Sequence, residues 1–347
     1  SLFLDFANRM GIDASEALGL KDKFEPEMAE MIFAGGPFAS AAAMPIPLLS
    51  AAGADPGKHT IEFVDSREHV WEIFANGNVG VYDQDPLGDS YGFTTEAGSG
   101  AIGVEHHLND SLAMGLAWSY VDGNTDVVNV GGYDTEGWAV SAYASYFNDG
   151  FWGDLLYSYG AFDIDSNRGS AIGETEANTH QIDFNLGYNF ETPRLVHGPI
   201  FGLNFLTGKT DAFAETGGGA TNLSFDGTNS QPLTSLLGWQ TTWTREVGNG
   251  LLTAQLRAGW GHEHIDDTEA TTVSLSQSPF LLFDGSDGGG FGTTSRAERP
   301  GSDYFSVGFG VDLSTNEQFF IGVDYETRLL WDDASEHFGS LRAGYRF

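Results

Sequence analysis

The strongest constraint on the fold of this chain is a strict two-residue alternation, which is cleanest in its last thirteen residues, 335–347. One face of this segment carries Gly339, Leu341, Ala343, Tyr345 and Phe347. The other face carries Ser340, Arg342, Gly344 and Arg346. Successive side chains of a β-strand point to opposite faces, so this strand is apolar on one side and polar on the other. The combination is typical of a strand that separates lipid from a water-filled interior.

The same alternation recurs in twelve segments between residues 70 and 347, separated by turn-rich stretches. In the sixth segment Ile182, Phe184, Leu186, Tyr188 and Phe190 alternate with Asp183, Asn185, Gly187 and Asn189. In the tenth, Phe305, Val307, Phe309, Val311 and Leu313 alternate with Ser306, Gly308, Gly310 and Asp312. Twelve antiparallel strands closed into a ring leave no unpaired edge, which a lipid environment requires. We therefore predict an all-β, twelve-stranded transmembrane barrel over residues 70–347.

A soluble β-sandwich is the main alternative, because its strands also alternate. A sandwich would place charged side chains on its outer faces, whereas one face here is built of Leu, Phe, Trp and Tyr. The segments, at roughly 10 to 14 residues, are also longer than the usual sandwich strand of about 5 to 6 residues. Both observations favour the membrane barrel.

Composition excludes several function classes. The formal net charge of −34 argues against nucleic acid, whose phosphates the chain would repel. The absence of cysteine excludes disulfides, thiolate metal sites and cysteine nucleophiles. No apolar run is long enough for a transmembrane helix. The chain begins at Ser1 without a signal peptide, so we expect it to be the mature or trimmed part of a longer precursor.

Residues 1–69 lack the alternation and form a separate predicted region. Leu2, Phe3, Phe6 and Met10 have helical spacing, so we expect a helix over residues 1–19 that continues or restarts over 23–33. Residues 34–57 are interrupted by proline and are expected to be extended, with a short strand at 61–64. We expect this region to be a helical linker in the pore, where a twelve-stranded ring has room for one helix, followed by an extension before the barrel. The stub of a passenger and a periplasmic element are the alternatives.

Polar side chains on the inward faces are the candidate pore-lining residues. They are Glu72, Asn76, Asp183, Asn185, Gln240, Arg257, Glu263, Asp312, Asp324, Glu326, Arg328, Arg342 and Arg346. They fit either a water-lined lumen stabilised by cross-strand ion pairs or a surface that grips an internal segment.

The connections between segments divide into two classes. Those after even-numbered segments are mostly short, and those after odd-numbered segments are usually longer and acidic, as at 122–133, 165–176, 210–231 and 266–302. Short turns on one side and long loops on the other are typical of outer-membrane barrels. An even strand count then places both ends of the barrel on the periplasmic side.

Three motifs invite a chemical interpretation, and none supports one. Gly88-Asp89-Ser90 resembles a lipase nucleophile block but lacks the leucine and the downstream histidine motif. His262 and His264 share one strand face while Glu263 points away, so the three do not converge on one metal. Gly288-Gly289-Gly290 lacks the strand–loop–helix context of a phosphate loop. We expect no catalytic residue, no cofactor and no metal.

Three stretches resemble the translocator domain of bacterial autotransporters, the type V secretion family. They are Phe213 to Ser224 (FAETGGGATNLS), Leu256 to Glu263 (LRAGWGHE) and the ending Leu341 to Phe347 (LRAGYRF). The resemblance implies a barrel in the bacterial outer membrane, crossed by a helical linker to a passenger that is secreted or anchored at the cell surface. It also implies assembly by the barrel-assembly machinery, with Tyr345 and Phe347 as its signal, in contact with outer-membrane lipid and lipopolysaccharide.

Some members of the family cut themselves inside the pore. Asn8-Arg9-Met10-Gly11 resembles the stretch that follows their cleavage site, but the paired asparagines are missing, which does not favour self-cleavage. A passive outer-membrane channel is the alternative function, and a barrel lipase or protease using Ser90, His262, His264 or His337 is a third.

Overall fold

The computed structural model describes residues 71–87, 91–109, 111–192, 195–264, 271–275, 292–295, 301–315 and 318–347. Twelve long strands make up the barrel within these residues. They are β1 (Trp71–Gln84), β2 (Phe93–Asn109), β3 (Leu112–Val127), β4 (Gly131–Asn148), β5 (Phe151–Arg168), β6 (Ala171–Tyr188), β7 (Leu195–Thr210), β8 (Leu233–Val247), β9 (Gly250–Glu263), β10 (Asp303–Thr315), β11 (Phe319–Trp331) and β12 (Ala334–Arg346).

Every strand pairs antiparallel with its neighbours in the chain, and β12 returns to pair with β1. That last pairing runs from Glu72 opposite Arg346 to Gln84 opposite Ala334. The ring is therefore closed, and the predicted all-β, twelve-stranded antiparallel barrel is confirmed. The predicted helices at 1–19 and 23–33, the short strand at 61–64 and the position of this region in the pore lie outside the described residues.

The strands alternate between an exposed apolar face and a buried face, as β3 shows. Leu116, Trp118 and Tyr120 are 62%, 48% and 43% exposed, whereas Ala117 and Ser119 between them are buried. Such exposure of large apolar groups is unfavourable in water and stabilising against lipid. The outer surface of the barrel is thus matched to a membrane. No helix in the described part of the chain has the length and apolar character needed to cross a membrane.

Two of the predicted long loops are wrong. Residues 122–127 and 131–133 continue β3 and β4, and residues 165–168 and 171–176 continue β5 and β6. Tight turns at 128–130 and 169–170 join these strands. The acidic residues predicted to be loop are the exposed positions of strands that rise above the apolar band, and their backbone groups pair with the adjacent strands.

The result is a barrel wall of unequal height. β4, β5 and β6 contain 18 residues each, whereas β10, β11 and β12 contain 13. At about 3.4 Å per residue and a tilt of about 40°, the longer strands stand about 13 Å higher. We call β3–β6 the tall wall.

An apolar cluster lines the inner side of the tall wall. It consists of Val121, Val127, Tyr133, Ala139, Phe162, Ile164 and Ala177. Tyr133 is 1% exposed and packs among these side chains. Thr95 and Thr125 share a hydrogen bond of 2.8 Å beside the cluster. This part of the interior is packed like the core of a soluble protein.

The predicted loop at 210–231 contains short structural elements. Strands Phe213–Ala214 and Leu223–Phe225 pair with each other, and the second also pairs with Thr271–Leu275, which pairs with Gly292–Ser295. Arg168 at the top of β5 binds the buried carboxylate of Glu215 through two nitrogens, at 3.2 and 2.6 Å. Glu215 also accepts a hydrogen bond from the backbone N–H of Leu223. The loop is therefore tied to the tall wall.

Candidate functional site in the barrel interior

Two ion pairs on the inner face each reach across an intervening strand. Arg257 on β9 binds Asp324 on β11 at 2.6 Å and approaches Glu326 at 3.7 Å, passing over β10. Arg342 on β12 binds Asp312 on β10 through two nitrogens, at 2.9 and 2.6 Å, passing over β11. Ion pairs of this geometry combine charge with directed hydrogen bonds. We call these five residues the ionic wall.

Glycines on the strands between make the two pairings possible. A Cβ at Gly322 would lie 1.9 Å from Asp312 Oδ1, and a Cβ at Gly310 would lie 2.5 Å from Asp324 Oδ2. A Cβ at Gly308 would lie 2.9 Å from an Arg257 nitrogen. The ion pairs therefore lie flat against the backbone of the wall instead of projecting across the lumen.

Two further ion pairs join adjacent strands at the ends of the same wall. Arg346 Nε binds Glu72 Oε2 at 2.9 Å, across the pairing that closes the ring. Arg328 Nη1 binds Glu336 Oε2 at 2.9 Å, and its guanidinium lies 4.7 Å from the centre of the Tyr304 ring. Charged groups therefore continue along the interior from one end of the barrel to the other.

Polar contacts without an arginine partner line the wall between β6 and β9. Asp183 accepts hydrogen bonds from Asn204 and, at 2.7 Å, from Gln181. Gln240 is fully buried and donates to Asn189 at 3.0 Å. The lumen thus has an apolar cluster on the tall wall and polar or charged side chains over most of the rest of its surface.

The structure places every predicted pore-lining residue on the inward face of its strand. Glu72, Asp183 and Gln240 are buried, and Arg257, Asp324, Glu326, Arg328 and Arg342 are half-buried within the ion pairs described above. Asn76 lies opposite Arg342 in the register, Asn185 lies over Gly202, and Glu263 ends β9. Whether these side chains contact a transported or threaded segment stays a prediction.

The residues of the predicted assembly signal lie at the ring closure. Tyr345 and Phe347 are 43% and 55% exposed on the outer face, with their rings stacked at 6.4 Å. The backbone groups of Phe347 and Trp71 exchange hydrogen bonds of 2.9 and 3.2 Å. The last residue of the chain therefore pairs with the first residue of β1.

A serine that the sequence did not reveal lies beside one of the motif histidines. Ser235 Oγ is 2.7 Å from His264 Nε2, and His262 Nδ1 is 2.9 Å from Asp303. These groups are far apart in sequence, so only strand pairing brings them together. They lie on the exposed outer face at the rim, where polar pairs are expected. Gly88-Asp89-Ser90 and Gly288-Gly289-Gly290 lie outside the described residues.

A sequence model of the autotransporter beta-domain matches residues 73–326, more than half of the chain. The chain belongs to the autotransporter beta-domain family. The predicted family, the bacterial outer-membrane location and the function as a translocator domain are thereby confirmed. The family is one of transport domains.

Solved structures show the same fold. The translocator domain of the autotransporter NalP from Neisseria meningitidis is similar with a TM-score of 0.66 and 17% identity, covering 91% of this chain and 99% of that one. The beta domain of the Bordetella autotransporter BrkA gives a TM-score of 0.57 and 16% identity, covering 80% and 99%. The transport unit of AIDA-I from Escherichia coli gives 0.51 and 11%, covering 90% and 98%.

One curated relative is similar in sequence. It is an uncharacterized protein of the trpE-trpG intergenic region in Pseudomonas putida, 25% identical over 193 residues. The alignment covers 51% of this chain and 32% of that relative, so the chain spans about a third of the length of the relative it matches.

Proposed function

We propose that this barrel delivers or displays a covalently linked passenger, with residues 1–69 crossing the lumen as the linker between passenger and barrel. The ionic wall is the observation that supports this most directly. Each of its two arginines is bonded to a carboxylate, and these side chains lie flat against the strands, which leaves room for a threaded segment.

Paired charges also suit the passage of many different sequences. A lone buried charge would bind an oppositely charged side chain strongly and repel a like one. An arginine already bonded to a carboxylate offers little net attraction to either sign. The wall is therefore polar enough to stay hydrated but holds a moving chain weakly. Folding of the passenger outside the cell would supply the driving force, since the sequence carries no nucleotide-binding motif.

The partners that we propose follow from the outer surface and the ring closure. The exposed Leu, Phe, Trp and Tyr side chains would contact outer-membrane lipid and lipopolysaccharide. The pairing of Phe347 with Trp71 completes the ring, so the barrel-assembly machinery would read Tyr345 and Phe347 before that last pairing forms. We assign the barrel no catalytic role.

Ion conductance in planar bilayers tests the linker. The full chain should conduct weakly, and deletion of residues 1–40 should raise the conductance sharply because the lumen is then open. A control deletion of residues 271–275, in an extracellular loop, should leave the low conductance unchanged. Equal conductance of the full chain and the deletion of 1–40 would instead support a passive channel and refute the linker in the pore.

A further inference from the structure

Three side chains that can bind metal converge at the periplasmic end of the interior. Glu72 lies on β1, and Glu105 and His107 lie on the inner face of β2, with Glu72 directly opposite Glu105 in the register. One ligand atom from each lies within 4.8 Å of the others. The side chain of Glu105 is 3% exposed, that of His107 is 26% exposed and Glu72 is fully buried. Within the described residues this is the one group of three such donors.

Neighbouring side chains hold both carboxylates in place. Arg346 binds Glu72 through Oε2 at 2.9 Å. The Tyr143 hydroxyl donates to Glu105 Oε2 at 2.9 Å. Tyr143 reaches Glu105 by lying over Gly115, where a Cβ would approach the phenol ring to 2.2 Å. Such outer hydrogen bonds orient the ligands of metal sites in proteins.

The contact between His107 and Glu105 also has a geometry that fits a bound cation. Nε2 of His107 is buried without a hydrogen bond, yet it lies 3.2 Å from Oε1 of Glu105. A nitrogen and a carboxylate oxygen at this distance are stabilised either by a proton on the nitrogen or by a metal cation that both atoms bind. A separation of about 3.3 Å is the edge of a tetrahedron whose centre is about 2.0 to 2.1 Å from each ligand, the geometry of zinc.

We propose that Glu72, Glu105 and His107 bind a divalent transition-metal ion, with Zn²⁺ the best match. Imidazole nitrogen with carboxylate oxygen is a donor set that zinc accepts, and three protein ligands leave a fourth position for water. Two buried carboxylates supply the negative charge that a divalent cation requires, and Arg346 offsets part of it. The ion would tie β1 to β2 beside the ring closure and stiffen the periplasmic mouth.

The test is titration of the full chain, folded in detergent, with zinc chloride in a calorimeter. The parent protein carries His262→Gln and His264→Gln, which remove the exposed histidine pair at the opposite rim. We expect one Zn²⁺ per chain, loss of that binding in Glu105→Gln and in His107→Gln, and a drop in affinity of about 10- to 100-fold in Tyr143→Phe. The control His106→Gln alters the adjacent histidine, which stacks on Trp71, and should bind as the parent does.

Visible absorption of bound Co²⁺ gives a second measurement, since its intensity reports a four-coordinate site with nitrogen and oxygen ligands. Circular dichroism and gel mobility before and after heating establish that each variant is folded. If only one of Glu105→Gln and His107→Gln folds, that variant alone tests the proposal. Binding by His107→Gln equal to that of the parent would overturn the proposal. No zinc-dependent heat in the parent would do the same.

Discussion

The ionic wall makes a quantitative prediction for Arg257→Met, a change that keeps a flexible unbranched side chain and removes its charge. Arg257 and Asp324 are 11% and 15% exposed, so the pair is largely desolvated. In the variant, the buried Asp324 carboxyl would lose the cation that it contacts at 2.6 Å. Glu326 would still accept a hydrogen bond from Ser306 at 2.8 Å.

Removing one partner of a buried ion pair costs about 3 to 5 kcal/mol. Some water reaches this pair, so the lower end applies and we expect a loss of about 3 kcal/mol in the free energy of unfolding. The double variant Arg257→Met/Asp324→Leu removes both charges and should recover about 2 kcal/mol of that loss. Arg245→Met is the matched control: Arg245 is exposed near the periplasmic end of β8, and its loss should change stability by no more than about 0.5 kcal/mol.

The assay is equilibrium unfolding from lipid vesicles in guanidinium chloride, followed by tryptophan fluorescence. The coupling energy follows from the two single variants, the double variant and the parent. Stabilities that simply add, with a coupling below about 0.5 kcal/mol, would refute the claim that this pair stabilises the barrel.

Two further predictions concern the outer surface and the loop. Leu256→Arg places a charge in the middle of the lipid-facing side of β9 and should lower the free energy of unfolding by about 2 to 4 kcal/mol in the same assay. Val247→Arg, at the periplasmic turn, should lower it by only about 0 to 1 kcal/mol. Equal losses in the two variants would contradict the assigned membrane position. Glu215→Gln weakens the ion pair between residue 215 and Arg168 and should speed proteolysis within residues 211–230, which mass spectrometry detects. The gel mobility of the folded barrel should stay that of the parent. An unchanged rate of cleavage would show that this ion pair does not hold the loop.

The alternation in sequence was sufficient to predict the barrel, because each strand must keep one face in lipid along the whole crossing. The alternation did not predict the strand residues above the membrane, where both faces of a strand can be polar. Asp122, Asn124 and Asp126 were therefore assigned to a loop, although Val121 and Val127 still alternate with them and pack inside the barrel. The alternating apolar inward residues of the longer strands were present in the sequence, but the acidic residues at the outward positions led to the assignment of a loop.

The inward positions were predictable one strand at a time, but their partners were not. Arg342 and Asp312 are 30 residues apart and meet across a third strand, at a glycine whose missing side chain opens the path. Register decides such contacts, and alternation alone does not specify register between distant strands. The same applies to Ser235 with His264 and to Arg168 with Glu215.

The unequal height of the barrel wall should bias the direction in which a polypeptide leaves the lumen. A polypeptide that leaves the lumen is screened by the tall wall on one flank and meets open solvent on the other while it is still within reach of the rim. We expect the emerging chain to lean away from β3–β6 and to make its earliest contacts outside the cell over the shorter strands β10–β12.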